Sequence, residues 1–185
     1  MYIDAREADQ FIGFASFFIP MDDLLKKSLR FHPDVIIPAE MRGGEALTAV
    51  EAGRTGHTII STLHANSALD AYNRILSMCV STGVRLSESK LLEFILEAMP
   101  LVLFKRQLPD GRRVYDEIFE GLKVENGRIV GKTLYKYEIQ ENIYDEDGNI
   151  VKVVGKHCRK NRMSESLLER LKYGGASNEM LEAFM

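Results

Sequence analysis

Residues 29–42, LRFHPDVIIPAEMR, and residues 55–66, TGHTIISTLHAN, decide the fold of this chain. Each segment has a short β-branched run, Val35–Ile37 in the first and Thr58–Leu63 in the second. Continuous runs of this kind are typical of strands that are buried on both faces of a parallel sheet. Between them, Gly43-Gly44 open a predicted helix over Glu45–Ala52. The two segments therefore predict a strand, a helix and a second, parallel strand.

The flanking sequence extends this α/β pattern in both directions. Asp22 is predicted to cap a helix that runs to Arg30, and Ser67 and Ser87 are predicted to cap helices that bury Ala71, Ile75, Leu91 and Ile95. Leu101–Phe104 is predicted to be a third buried strand. Strands that alternate with helices of this length indicate an α/β fold with a mainly parallel sheet.

The pattern changes after Arg106. Three turn dipeptides, Asp110-Gly111, Asn126-Gly127 and Asp147-Gly148, separate alternating runs and predict an antiparallel set of hairpins. A polar link over Lys156–Arg162 and short helices capped by Ser164 and Ser177 complete the chain. We therefore divide it into an unassigned segment 1–21, an α/β core 22–106, an antiparallel β extension 107–155 and a helical tail 156–185.

Composition excludes some classes of protein. The chain has 185 residues, a net charge of -3 and two distant cysteines, which give no overall attraction to nucleic acid and no disulfide framework. The apolar run Phe11–Pro20 is about half the length that a membrane-spanning helix needs. We expect no membrane span, no metal site, since no cysteine or histidine pair has ligand spacing, and no direct contact with nucleic acid.

Polar residues follow both strands of the opening segments. Glu40 comes directly after the first run and His64 after the second, at the edge where ligands bind in open α/β sheets. A carboxylate there can orient water or support a magnesium shell, and an imidazole can contact a terminal phosphate. His57 and the arginines Arg30 and Arg42 flank the same strands, and all three candidates Glu40, His57 and His64 are expected to face one edge. The alternatives are a solvated glutamate, histidines satisfied within loops, and arginines in surface ion pairs.

The order and spacing of these residues resemble the second half of the motor domain of the type II/type IV secretion ATPases. The tail resembles the Tad (Flp) pilus assembly and conjugal transfer branch, through its hairpins, the turn Asp145–Gly148 and a closing leucine-rich helix. We place the resemblance from about Asp22 onward, with residues 1–21 outside it. The resemblance implies the carboxyl-terminal part of a RecA-like P-loop NTPase core, which uses ATP and Mg²⁺.

The resemblance also implies roles for single residues. Val35–Glu40 match the Walker B-like strand, with Glu40 as the catalytic carboxylate, and Thr55–His64 match the histidine box, with His64 catalytic and His57 in contact with the nucleotide. Arg30 and Arg42 match arginines of the pattern that are expected to bind nucleotide. The implied assembly is a homo-hexamer at the cytoplasmic face of the inner membrane, where it acts on a membrane platform protein to drive export of protein or DNA.

Two departures from the family pattern affect the expected activity. No G-x-x-x-x-G-K-[ST] phosphate-binding loop occurs in the chain. Pro38-Ala39 stand where the family usually has a small apolar residue and glycine; proline removes a ladder hydrogen bond and alanine adds a Cβ. We expect the chain to be part of a longer ATPase, as a fragment or a truncated gene product, and to be inactive alone. A non-catalytic assembly module that binds a ring subunit or platform protein is the alternative. An unrelated α/β hydrolase is disfavoured because no nucleophile motif is present.

Overall fold

The computed structural model describes residues 19–182, which form two sheets joined by a layer of helices. Segment 1–18, including most of the apolar run Phe11–Pro20, lies outside the described residues. The helices are α1 (Met21–Ser28), α2 (Glu45–Arg54), α3 (Ala68–Ser81), α4 (Glu88–Ala98), α5 (Glu165–Tyr173) and α6 (Asn178–Glu182). The strands are β1 (Val35–Ile36), β2 (Thr58–Ile59), β3 (Leu101–Gln107), β4 (Arg113–Glu125), β5 (Arg128–Tyr144) and β6 (Ile150–Arg159). The α/β class is confirmed, with one parallel and one antiparallel sheet.

The parallel sheet is smaller and more exposed than the sequence predicts. β1 and β2 pair in parallel, Val35 with Thr58 and Ile36 with Ile59, and no further strand pairs with them within residues 19–182. Only one face is covered: Ile36 is buried with Leu25 of α1 and Ala52 of α2, whereas Ile37 and Ile60 are 64% and 55% exposed. The prediction of a strand buried on both faces is therefore wrong for β1, because the described chain supplies a cover for one face only.

Leu101–Phe104 belongs to the other sheet. The residues begin β3, which pairs antiparallel with β4 and opens the four-stranded order β3-β4-β5-β6. The prediction of a third strand in the parallel sheet is wrong, since apolar content alone does not reveal the partner of a strand. The segment division at residue 106 stays a prediction, although the antiparallel pairing begins five residues earlier, at Leu101.

The hairpins form as the turn dipeptides predict. Gly111, Gly127 and Gly148 have φ of 85°, 70° and 82° and lie in the three connections of the antiparallel sheet. The strands β4, β5 and β6 are all longer than the alternating runs predict; β6 continues to Arg159, so most of the predicted polar link Lys156–Arg162 is strand. The prediction of an antiparallel extension is confirmed, with longer strands than expected.

The helix caps also follow the sequence. The side chains of Ser67, Ser87 and Ser164 accept hydrogen bonds from the backbone three residues later, at the starts of α3, α4 and α5. Asp22 is different: the N-cap of α1 is Pro20, and the Asp22 carboxylate accepts hydrogen bonds from Lys26 and the Thr48 hydroxyl. Asp22 therefore ties α1 to α2 instead of capping α1, and these bonds, Lys26 first, hold its pKa below the ordinary value.

The main core lies between the helices and the antiparallel sheet. α2, α3 and α4 pack on one another; α3 packs on β3 and β4, and α4 packs on β4 and β5. Tyr72 of α3 is buried there, where its hydroxyl donates to the carbonyls of Met99 and Pro100 at 3.2 and 3.1 Å and its ring meets Phe119 edge to face. Burial is the main cause that raises the pKa of this phenol above its usual range. This layer fixes the parallel pair β1-β2 to the rest of the protein through α2.

Candidate nucleotide-facing site

The structure brings three of the five predicted site residues together. The Nε2 atom of His64 lies 3.3 Å from Oε1 of Glu40, and Nη2 of Arg42 donates to Oε2 of the same carboxylate at 2.6 Å. Both contacts form beyond the carboxyl ends of β1 and β2, where the predicted edge of the sheet lies. We call Glu40, Arg42 and His64 the carboxylate cluster.

A bulge between the end of β1 and the isolated bridge of Glu40 with Thr62 directs Glu40 to this edge. Ile36 pairs with Ile59, and the next paired residues are Glu40 and Thr62. The chain therefore advances four residues on the β1 side but only three on the β2 side. A continuing parallel ladder would next use the N–H of residue 38, and Pro38 has none. The ladder resumes one residue later, with Thr62 N–H donating to Ala39 O and Met41 N–H donating to Thr62 O, both at 2.9 Å. An extra residue in one strand re-aims the side chains that follow it.

Ala39 has an unusual backbone conformation within this bulge. Its φ is +56°, in the left-handed region that costs a residue with a Cβ about 1–2 kcal/mol. Glycine is the residue that normally occupies such a position in a bulge. The departure from the family pattern at residue 39 therefore has a structural meaning: alanine carries strain at the step directly before Glu40.

The loop after Glu40 is held by Glu45, which was predicted only to begin a helix. The carboxylate of Glu45, in the first turn of α2, accepts hydrogen bonds from the backbone N–H groups of Arg42 at 2.5 Å and Gly43 at 2.9 Å. This contact fixes the turn from the bulge into α2. The signal available in the sequence was the Gly-Gly-Glu order, which puts a carboxylate within reach of amides at a helix start.

The cluster is open to solvent and its charges are paired. The side chain of His64 is 90% exposed and that of Glu40 is 29% exposed. Hydrogen bonding to Glu40 is the main cause that holds the pKa of Arg42 above its ordinary value, so the guanidinium stays charged. Ion pairs this exposed contribute little to stability, because water screens them, so the cluster is not what holds the fold together.

His57 and Arg30 lie elsewhere. His57 directly precedes β2, and its Nδ1 is 3.3 Å from Thr55 Oγ1 and from the Ala52 carbonyl at the end of α2. Arg30 lies in the 3-10 turn Leu29–Phe31 that precedes β1. Because β1 and β2 are parallel, residues that precede them lie at the opposite end from residues that follow them. The expectation that His57 faces the same edge as Glu40 and His64 is wrong, and the roles of His57 and Arg30 stay predictions.

The cluster has groups that suit a phosphate and none that cage a metal. Arginine and histidine can donate hydrogen bonds to phosphate oxygens, and a carboxylate beside them can hold water. Among the described residues 19–182, no group of three or more histidine, cysteine, aspartate or glutamate side chains is arranged to hold a metal ion. A Mg²⁺ ion carried on nucleotide phosphates, with few protein ligands, is compatible with this arrangement.

Comparison with known proteins decides the family. The family described as type II/IV secretion system protein matches residues 15–109. The chain belongs to this family. The match begins at residue 15, so the expectation that the whole of 1–21 lies outside the resemblance is wrong for its last residues.

Individual relatives carry related descriptions. A probable conjugal transfer protein TrbB of Sinorhizobium fredii is 33% identical over 130 residues, 70% of this chain and 36% of the relative. The type II secretion system protein E of Dickeya dadantii is 38% identical over 112 residues, 60% of this chain and 21% of the relative. The type IV pilus assembly ATPase PilB of Pseudomonas aeruginosa is 47% identical over 57 residues, 30% of this chain and 10% of the relative.

A solved structure is also similar. The ATPase DotB of Legionella pneumophila aligns with a TM-score of 0.44 and 28% identity, covering 54% of this chain and 27% of that one. The chain spans about a third or less of the length of the relatives named here. No helix among residues 19–182 combines the length and the apolar character that crossing a bilayer requires.

Proposed function

We propose that this chain supplies one wall of the ATP-hydrolysing site of a secretion, pilus-assembly or conjugal transfer ATPase. The observation that carries the proposal is the carboxylate cluster, which lies at the carboxyl end of two parallel strands in a member of the type II/IV secretion family. Such a site binds Mg²⁺-ATP, whose γ-phosphoryl group is transferred to water. The RecA-like core and the Tad branch are finer parts of this proposal, supported by the hairpin-rich extension and the order of motifs.

Each member of the cluster has a distinct task in this proposal. The Glu40 carboxylate holds and orients the attacking water, because it is the one anionic group of the cluster and is partly shielded from solvent. His64 donates a hydrogen bond to a terminal phosphate oxygen, and its exposure leaves the ring accessible to a ligand. Arg42 remains cationic beside Glu40 and stabilises negative charge that develops on the phosphoryl oxygens.

The isolated chain is proposed to be inactive. Backbone amides and a lysine of a phosphate-binding loop supply most of the grip on a nucleotide, and the chain contains no such loop motif. Contact of Arg30 and His57 with nucleotide remains a prediction from the resemblance. So do the homo-hexamer, the inner-membrane platform protein and the location at the cytoplasmic face of that membrane.

A fusion tests the proposed function. Residues 15–109 of this chain replace the matching segment of a type II secretion system protein E, and phosphate release from Mg²⁺-ATP is measured for the fusion, the parent protein and the isolated chain. We expect hydrolysis by the fusion at a rate within about tenfold of the parent, and none by the isolated chain. A folded fusion that binds ATP without hydrolysing it would contradict the proposal for this segment.

A second function is favoured by the open face of the parallel sheet. Ile37, Ile60 and Val35 lie there at the surface of the described structure, and exposed apolar side chains in one place are typical of interaction surfaces. The chain would then be a non-catalytic assembly module that binds a ring subunit or a platform protein. Sedimentation over a concentration series would show association that is lost when Ile37 and Ile60 are both replaced by serine. A monodisperse monomer at high concentration would contradict this second function.

A further inference from the structure

The hydroxyl groups that follow β2 converge on the strained residue of the bulge. The Ala39 carbonyl accepts hydrogen bonds from the Ser61 hydroxyl at 2.9 Å and from the Thr62 hydroxyl at 3.2 Å, in addition to the Thr62 backbone N–H at 2.9 Å. Three donors on one carbonyl exceed what the ladder alone requires, since sheet pairing uses one. The excess is concentrated on the residue whose φ is positive.

Strained backbone conformations persist when surrounding contacts hold them. Here the side-chain contacts come from two hydroxyls, of which that of Ser61 makes the shorter bond. Ser61 is also half-buried, whereas Thr62 is exposed. Because its bond is the shorter, the Ser61 hydroxyl is the stronger of the two side-chain restraints on Ala39.

The conformation of Ala39 determines where Glu40 points. Removing the bulge would shift the pairing by one residue, and a shift of one residue sends each following side chain to the opposite face of a sheet. Glu40 would then leave Arg42 and His64, and the carboxylate cluster would be lost. A restraint on residue 39 is consequently a restraint on the cluster.

We propose that Ser61 is a positioning residue of the site: through the Ala39 carbonyl, its hydroxyl maintains the left-handed bulge that directs Glu40 toward His64. This role rests on the proposed function, because it assigns Ser61 to the site in which Glu40 acts. Ser61 touches no part of the cluster directly in this role, and it acts through the backbone of the residue before Glu40.

Two NMR measurements on the 185-residue chain test the proposal without nucleotide. The first is the scalar coupling between the amide and Cα protons of Ala39, which reports φ. The second is the shift of the His64 ring signal that Glu40→Gln causes, which reports contact between the two side chains. We expect Ser61→Ala to change the first and to abolish the second.

Three further variants make the test specific. Ser61→Thr retains a hydroxyl and should preserve both signals. In Ala39→Gly/Ser61→Ala, glycine accepts the left-handed conformation without a restraint, so the response of His64 to Glu40→Gln should return. Ser77→Ala is the matched control, because the Ser77 hydroxyl also donates to a carbonyl, that of Asn73, at 2.9 Å but within α3; it should leave both signals unchanged.

Unchanged signals in Ser61→Ala would overturn the proposal. It would also be overturned if the response of His64 to Glu40→Gln did not return in Ala39→Gly/Ser61→Ala. Loss of both signals in Thr62→Val but not in Ser61→Ala would overturn it too, because Thr62 would then be the restraint. Since none of these measurements involves ATP, they separate this inference from the proposed function. An inactive fusion would contradict only the proposed hydrolysis if the Ala39 and His64 signals still respond to Ser61→Ala as expected.

Discussion

The Nε2 atom of His64 lies 3.3 Å from Oε1 of Glu40, although 24 positions separate the two residues in the sequence. Two parallel strands and one bulge produce this contact, because β1 and β2 carry the two chains to the same edge and the bulge turns Glu40 toward it. The pair is too exposed to contribute much to stability. Substitutions in the cluster should therefore change chemistry at the site far more than they change folding.

The strain at residue 39 predicts a stabilising substitution. Ala39→Gly removes the Cβ that the left-handed conformation disfavours, and this gain exceeds the greater flexibility of glycine in the unfolded chain. We expect the free energy of unfolding to rise by about 0.5–1 kcal/mol in urea titrations.

Ala65→Gly is the control for this substitution, because Ala65 lies in a nearby loop without a positive φ. It should lower the free energy of unfolding by about 0.4–1 kcal/mol. Equal destabilisation by both substitutions would show that Ala39 is not strained in solution.

The contact between Glu120 and Ser164, far from the candidate site, is expected to contribute strongly to the free energy of unfolding. Glu120 of β4 is buried, and it accepts hydrogen bonds from the Ser164 backbone at 3.0 Å and from the Ser164 hydroxyl, which itself caps α5. Ser164→Ala removes a cap and one partner of a buried carboxylate. We expect a loss of about 2–4 kcal/mol in urea titrations.

Ser87→Ala isolates the capping effect, because the Ser87 side chain accepts a similar bond from the Lys90 N–H in an exposed cap. Its cost should stay near 1 kcal/mol. If the two serine variants were equally destabilised, the anchoring of α5 by Glu120 would be disproved.

The hydrogen bonds of the Asp110 carboxylate predict that the free energy of unfolding depends on pH in the acid range. Its carboxylate accepts hydrogen bonds from Arg112 at 2.7 and 2.9 Å and from the Val153 N–H at 2.8 Å, and these bonds, Arg112 first, lower its pKa to about 2. A folded-state pKa below the unfolded value of about 3.9 stabilises the fold above pH 4, and the contribution disappears as pH falls to 2. Between pH 4 and pH 2, the free energy of unfolding should fall more steeply in the wild type than in Asp110→Asn.

Asp23→Asn removes the same formal charge from an exposed position in α1 and serves as the control. Its stability should fall with pH as steeply as that of the wild type. A parallel pH profile for Asp110→Asn would mean that Asp110 does not tie the β3-β4 turn to β6.

Local sequence signals predicted the helices and hairpins well. Ser67, Ser87 and Ser164 cap the helices that they were expected to cap, and Asn126-Gly127 forms the turn between β4 and β5. Capping and turn formation depend on a few neighbouring residues, which the sequence displays directly. The position of Glu40 and His64 after two short strands was predictable for the same reason.

Features that depend on distant partners were not predictable. The exposure of Ile37 depends on what covers the second face of the parallel sheet, and the antiparallel pairing of Leu101–Phe104 depends on β4. The bulge at Ala39 and its bonds from Ser61 arise from the loss of one N–H at Pro38. The unusual Pro38-Ala39 pair is visible in the sequence, but the bulge that it causes becomes apparent only from the register of the two strands.

The most direct test of the central claim is single-turnover hydrolysis of Mg²⁺-ATP by the fusion that carries residues 15–109, with Glu40→Gln compared with Glu88→Gln. Glu88 is an exposed glutamate in the first turn of α4 and controls for the change of charge. We predict that Glu40→Gln lowers the hydrolysis rate by at least about a hundredfold, while ATP binding and the unfolding midpoint stay close to those of the parent fusion. Glu88→Gln should retain full activity. Undiminished hydrolysis by Glu40→Gln would contradict the assignment of the carboxylate cluster to the ATP site.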